Sequence, residues 1–143
     1  MSFLNAFNIS GSALTAQRMR MDVIAQNLAN ASTTRTEDGG PYRRQVTVLS
    51  ENKASFSSYL NSALGTTGGG VKVSGIVEDD SDFKLEYDPT NPDADADGYV
   101  HYPNVNEVTE LIDMMAATRA YEANVTALNS MKSMMLKALE IGK

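Results

Sequence analysis

The sequence predicts a mainly α fold: paired N- and C-terminal helices, coiled-coil-like, around a small inserted β-hairpin and loop region. Three patterns predict it. Phe7, Leu14, Met21 and Leu28 recur at sevens near the start. Leu111, Met114, Thr118, Tyr121, Val125, Leu128, Lys132, Met135 and Leu139 follow a 4-3 spacing near the end, and seven of these nine are apolar. Between them, Val71–Val77 and Phe83–Tyr87 alternate with period 2 about the acidic run Asp79-Asp80-Ser81-Asp82. Sevens and 4-3 spacings are the repeat of a helical seam, and period 2 is that of a half-buried strand. The expected division is a discontinuous helical domain, 1–33 with 104–143, and an inserted loop and β region over 34–103.

The first helix spans about Phe3 to Ala31. It holds no proline and is rich in Ala, Arg, Met and Gln, which are good helix formers. Ser10-Gly11-Ser12 is its weak point and a candidate start, with a serine as N-cap. Asn27 to Asn30, then Ser32-Thr33-Thr34, reads as the stop, because these side chains compete for backbone hydrogen bonds.

In the middle, Glu37 to Pro41 is turn chemistry, and Arg44 to Leu49 alternates as a short strand. Lys53 to Ala63 is Ser-rich and has no assignable pattern. Gly65 to Gly70, with four glycines, reads as a flexible joint. Val71 to Tyr87 reads as a hairpin, and Asp88-Pro89-Thr90-Asn91-Pro92 as a proline-fixed loop.

The last helix spans Asn104 to Gly142. Asn104 with Glu107 resembles a capping box after Pro103. Glu107 and Glu110 suit the dipole of the first turn, Lys137 and Lys143 that of the end, and Gly142 is a natural stop. At 1.5 Å per residue this helix is about 55 Å long and the first about 40 Å. A helix of that length needs a partner for its stripe, and the first helix is the one available within the chain. Met115, Met131, Met134 and Leu136 lie off the seam, so the apolar surface exceeds what one partner covers. Adaptable Met-rich surface of this kind marks an interface with further copies.

Composition narrows the function classes. The chain has 143 residues and a net charge of −6, which argues against nucleic acid or an anionic membrane as the main partner. Half of the Asp and Glu, nine of 18, lie between Glu78 and Asp97. There is no cysteine, so disulfides, thiolate chemistry and Cys-type zinc sites are excluded together. With one histidine, His101, multi-His metal centres are excluded too. No stretch approaches the ~20 apolar residues of a membrane span. No cleavable signal peptide is expected, which fits either a cytoplasmic chain or one exported without cleavage.

Three other readings have specific residues behind them. Asp93, Asp95 and Asp97, with Gly98 and Val100, match the opening of an EF-hand calcium loop, but its twelfth position is Asn104 instead of a bidentate Glu. Pro89 and Pro92 also forbid the entering helix. The glycines of 65–70 lack the Gly-Lys-Ser/Thr of a phosphate loop. His101, between Val100 and Tyr102, reads as a strand-end residue and not a base; no catalytic residue and no cofactor is expected. A soluble coiled-coil adaptor is compatible with the seam alone.

Ser12-Ala13-Leu14-Thr15-Ala16-Gln17 followed by Asn27-Leu28-Ala29-Asn30 resembles the N-terminal signature of flagellar axial proteins, the rod, hook and hook-associated subunits. Gly40 to Arg43, Tyr87-Asp88-Pro89, Asn91 to Asp95, Gly98-Tyr99-Val100, Pro103-Asn104-Val105 and Met114 to Val125 narrow the likeness to the proximal rod. The likeness covers nearly the whole chain apart from Ser50 to Gly70. Asp82 stands where a proline is commoner in relatives. The resemblance implies a non-enzymatic subunit of the periplasm-crossing drive shaft, passed unfolded through the flagellar export gate without a cleaved signal. Its implied partners are copies of itself, other rod proteins, the export gate and the basal-body base, with no nucleic acid and no direct membrane insertion. Its terminal helices would line the export channel. The expected subunit contacts are Phe7, Leu14, Arg18, Met21, Asn27, Leu28 and Asn30 on the first helix, with Arg20 in a similar part. On the last they are Leu111, Met115, Arg119, Tyr121, Val125, Leu128, Met135 and Leu139.

Overall fold

In a computed structural model, the described residues are 3–37, 39–52 and 69–141. The Ser-rich stretch Lys53 to Ala63, most of the glycine joint, and the expected terminal features Gly142 and Lys143 lie outside them. Among the described residues the elements run α1 (Phe3–Ala29), β1 (Gln45–Glu51), β2 (Val71–Glu78), β3 (Lys84–Tyr87), β4 (Tyr99–Tyr102) and α2 (Glu107–Ile141). The fold is mainly helical, with 27 residues in α1 and 35 in α2, and carries two small two-stranded sheets.

Helix α1 passes unbroken through Ser10-Gly11-Ser12, where the sequence suggests a start. The local side chains hydrogen-bond along the helix instead of capping it. Ser12 Oγ donates to Ile9 O at 2.8 Å and Thr15 Oγ1 to Gly11 O at 3.2 Å. The expected stop is where it should be: Asn30 Nδ2 donates to Gln26 O at 2.9 Å, and Thr33 N–H to Asn30 O at 3.1 Å.

The strands pair differently from expectation. Strand β2 pairs antiparallel with β1, from Gln45↔Glu78 to Glu51↔Val71, with a bulge between Val48 and Leu49. Strand β3 pairs antiparallel with β4, from Lys84↔Tyr102 to Tyr87↔Tyr99. The predicted hairpin between β2 and β3 does not form. Its acidic turn is a pinned corner: Asn104 Nδ2 donates to Asp79 O at 2.9 Å and to Ser81 O at 3.2 Å, while Asp79 N–H extends the first ribbon by donating to Arg44 O. Period 2 identifies a strand but not its partner. In the β3–β4 loop, Gly98 has φ +83°, and a Cβ there would lie 3.0 Å from the Tyr87 ring. That ring meets Tyr99 edge-on at 5.3 Å.

The start of α2 is also displaced. Asn106, not Asn104, is the cap: its Oδ1 accepts the N–H groups of Val108 and Thr109 at 3.1 and 3.3 Å. Glu107 and Glu110 do fall in the first turn, while the last described turn holds no base. The two helices pack antiparallel, since Asn27 meets Glu110, Arg20 meets Asp113 and Met21 meets Thr118. The apolar core is thin: Ala16, Val23 and Ile24 of α1, Val100 of β4, Val105 and Ala117.

One hydroxyl ties the first ribbon to α1. Val71 N–H donates to Ser12 Oγ at 3.1 Å, and a Cβ at Gly70 would sit 2.6 Å from that oxygen. Ser12→Ala is expected to cost about 1 kcal/mol, and Gly70→Ala a similar amount by displacing the hydroxyl. Because both remove one bond, the double variant should cost little more than the worse single change in urea denaturation. Full additivity would show two independent effects.

Candidate functional site

Two features of the subunit bear on function: a buried polar junction at the base of the helix pair, and an apolar face of α2 that the subunit leaves open. The junction is built from Asn27 of α1, Tyr42 and Arg44 before β1, Asn104 before α2, and Glu110 and Asp113 of α2. Asn27 and Glu110 are each 1% exposed, the buried polar side chains among the described residues. Asn27 Nδ2 donates to Glu110 Oε2 at 3.0 Å and to Gln45 O at 2.8 Å. Its Oδ1 accepts Tyr42 OH at 3.0 Å and Gln45 N–H at 2.9 Å. The amide thus binds Gln45 as a neighbouring strand would.

Arg44 completes the charge balance. Its Nε donates to Glu110 Oε1 at 2.7 Å, and its Nη1 to Asp79 Oδ2 at 3.2 Å. Asp113 Oδ2 lies 3.9 Å from Nη2, and Arg20 holds the other oxygen of Asp113 at 3.0 Å. Burial alone would pull the Arg44 guanidinium down, but its hydrogen bonds and charge contacts, with Glu110 first and then Asp79, together more than offset this and its pKa is raised. Tyr42 is raised too, by burial first and then by the nearby Glu110 and Glu78 charges. Asp79 is held below the ordinary carboxylate range, first by the Ser81 backbone N–H and then by the Ser81 and Arg44 side chains. The Arg44 backbone N–H donates to Asn104 Oδ1 at 2.8 Å, so one arginine and one asparagine clamp the β corner to the start of α2.

This junction was missed in sequence. Glu110 reads there as a dipole-matched first-turn acid and Asn104 as a cap. The signal lay in helical phase. Glu110, Met114, Ala117, Tyr121, Asn124, Leu128 and Met131 are all buried or half-buried on α2, a 4-3 row of its own, flanked by half-buried Asp113, Thr118, Ala120 and Val125. It shares Met114, Tyr121 and Leu128 with the predicted seam. Leu111, in contrast, is 52% exposed, and Lys132, Met135 and Leu139 also face out. Small Ala117 and ion-paired Glu110 let α1 approach where bulky Leu111 would hold it off.

The predicted contact residues therefore separate. Phe7, Leu14, Met21, Leu28, Tyr121, Val125 and Leu128 are half-buried between surface and core. Asn27 is inside the subunit, Arg20 is engaged with Asp113, and Asn30 bonds its own helix. Arg18 and Arg119 are exposed and have no ion-pair partner among the described residues. Met115 is 54% exposed and lies on one face with Val108, Leu111 and Ile112, all exposed. Val108 and Ile112 were not predicted, although 108, 111, 112 and 115 have helical spacing. A second exposed group, Met134, Met135, Leu136, Leu139 and Ile141, ends the helix.

The acidic loop does not gather its carboxylates. Asp93 accepts Thr34 Oγ1 at 2.8 Å and faces Arg35 at 3.6 Å. Asp95 accepts the N–H groups of Tyr99 and Asp97 at 2.9 and 3.0 Å, and the Tyr99 bond leads in holding its pKa down. His101, in β4, is 3.6 Å from the same aspartate. Among the described residues no three acidic or histidine groups converge on a point that could hold a metal ion. No described helix is long and apolar enough to cross a membrane.

A family model described as flagella basal body rod protein matches residues 7–35, and one described as flagellar basal body rod FlgEFG protein C-terminal matches residues 96–141. Over the full length of both chains the sequence is 55% identical to the flagellar basal-body rod protein FlgC of Bacillus subtilis. It is 48% identical to that of Escherichia coli O157:H7 and 46% identical to that of Salmonella typhimurium, again over the full length of both chains. The two family models cover most of α1 and all of α2, including Asn27 and Glu110 of the junction but not Tyr42 or Arg44.

Proposed function

The chain belongs to the flagellar basal-body rod protein FlgC family, a structural subunit of the basal body and not an enzyme, and we propose from that premise how it is built into the rod. Assembly with other rod components of the basal body follows from the family. The finer reading is a proximal-rod subunit that packs laterally through α2. The observation that carries it is the row Val108, Leu111, Ile112 and Met115, an exposed apolar face on a helix already paired on its other side. Removing such a face from water by a neighbouring subunit is favourable at about 25 cal/mol per Å².

In this reading the helix pair is coiled-coil-like and lies along the rod axis. Long packed helices resist torsion and bending, which a drive shaft needs. A head-to-tail contact that does not close on itself generates a helical filament. Arg18 and Arg119, exposed and without an ion-pair partner among the described residues, suit the carboxylates or carbonyl groups of neighbours, copies of the chain or other rod proteins. Contact with the export gate and the basal-body base, and passage through the gate without a cleaved signal, complete the proposal.

The test is mass spectrometry of purified hook–basal bodies from the source organism. The expected result is this chain at levels like those of the other rod proteins. Its absence from intact basal bodies would overturn the assignment.

A further inference from the structure

We infer that the Asn27–Arg44–Glu110 cluster sets the axial register of the helix pair. The apolar seams do not specify that register. On α1, Phe7, Leu14, Met21 and Leu28 repeat at sevens, and on α2 the inward row passes Glu110, Ala117, Asn124 and Met131 at the same interval. Sliding one helix by seven residues, about 10 Å, brings equivalent seam positions back into contact. Apart from the partly exposed Arg20–Asp113 pair, the side chains at the contact do not forbid it. Ala16 and Ala117 are small, and Met21, which meets Thr118 at 3.6 Å, adapts its shape.

The polar cluster is different because it occurs once. Asn27 uses all four of its hydrogen-bonding positions, two on Gln45, one on Tyr42 and one on Glu110. Arg44 meets the other oxygen of Glu110 at 2.7 Å. A seven-residue slip takes Glu110 away from Arg44 and sets it level with Arg20 or, in the other sense, with Thr34 beyond the end of α1; Arg44 loses its buried carboxylate, and Asn27 loses its bond to Glu110 while keeping those to Gln45 and Tyr42. Unpartnered buried polar groups of this kind are among the most costly defects a fold can carry. A buried ion pair adds little stability over a well-packed apolar replacement, and fixing register is its best-attested use. In this subunit the seam supplies attraction between the helices and the cluster selects one alignment. Asn27, Arg44 and Glu110 are positioning residues, and their action is within one subunit, independent of what that subunit assembles with.

The chain has no cysteine, so two nitroxide labels can be placed cleanly. Arg18→Cys and Arg119→Cys put them on exposed positions of the two helices that have no ion-pair partner among the described residues. Label-to-label distances are then measured by double electron–electron resonance in the full-length chain with its native cluster, with Asn27→Leu/Arg44→Met/Glu110→Leu, and with Glu110→Gln. The native cluster should give one narrow distance. The apolar triple variant should melt at the same temperature or higher, yet show a further, longer distance population, since the labels start level across the pair and an axial slip of about 10 Å lengthens their separation. Glu110→Gln, which can still bond Asn27 and Arg44, should restore the single distance. A triple variant with the native single distance overturns the inference. So does a triple variant that fails to fold while Glu110→Gln folds, since the cluster is then a stability element. A native cluster without a single distance overturns it equally.

Discussion

Replacing Arg44 with alanine is expected to destabilise the subunit by about 3–5 kcal/mol, the cost of stranding one member of a buried ion pair. Glu110 is 1% exposed and cannot turn to water, and without Arg44 its remaining side-chain partner is the Asn27 amide. The reverse change should be milder. Glu110→Ala leaves Arg44 with a side chain 24% exposed and with Asp79 at 3.2 Å, so about 2 kcal/mol is expected from the lost charged hydrogen bonds. Against a typical total stability of about 5–15 kcal/mol, the arginine change consumes a large share. Urea denaturation of the two single variants checks the order. If Arg44→Ala costs under about 1 kcal/mol, as an exposed pair does, the junction is wetter than its geometry implies.

The second large effect is expected at the open face of α2. Met115→Asp should leave subunit stability within about 0.5 kcal/mol, as for a surface change, and should abolish swimming. The side chain is 54% exposed in the subunit, so a carboxylate there is solvated before assembly. Once a neighbour covers it, the desolvation of an unpaired charge costs at least several kcal/mol. Each 1.4 kcal/mol is about tenfold in association, so the contact weakens by a hundredfold or more. Leu139→Asp, at a position 65% exposed near the end of α2, tests the second apolar group in the same way. Leu128→Asp should also stop assembly, but Leu128 is half-buried on the inward row, so it strikes fold and contact together. Motility and circular dichroism measured side by side separate the cases. A swimming Met115→Asp strain with a normally folded subunit would place this face toward solvent in the rod.

Much of the architecture was legible before any coordinates. The sevens of α1 and the 4-3 row of α2 are repeats along one chain segment, and they identify helices without knowledge of what lies opposite. The strand at Arg44 to Leu49 and the strands on either side of Asp79 were legible for the same reason. Phase was less secure. Choosing the row with the most apolar residues selected Leu111, whereas burial selected Glu110, because a carboxylate can be buried once an arginine and an amide meet it. The exposed apolar residues of α2 were half legible: Met115 and Leu139 were expected at the surface and are exposed, while Val108 and Ile112 passed unnoticed.

The sequence by itself determined the two terminal helices, three of the four described strands and the family motifs, all of which depend on residues near one another in the chain; β4 was not assigned. Only the tertiary structure decided that β2 pairs with β1 and β3 with β4, that Asn104 clamps a corner while Asn106 caps α2, and that Asn27, Arg44 and Glu110 share one buried site. The physical reason is the range of the interaction. Helical and strand periods are written in local spacing, whereas a hydrogen bond between residues 83 positions apart exists only after folding has brought them together.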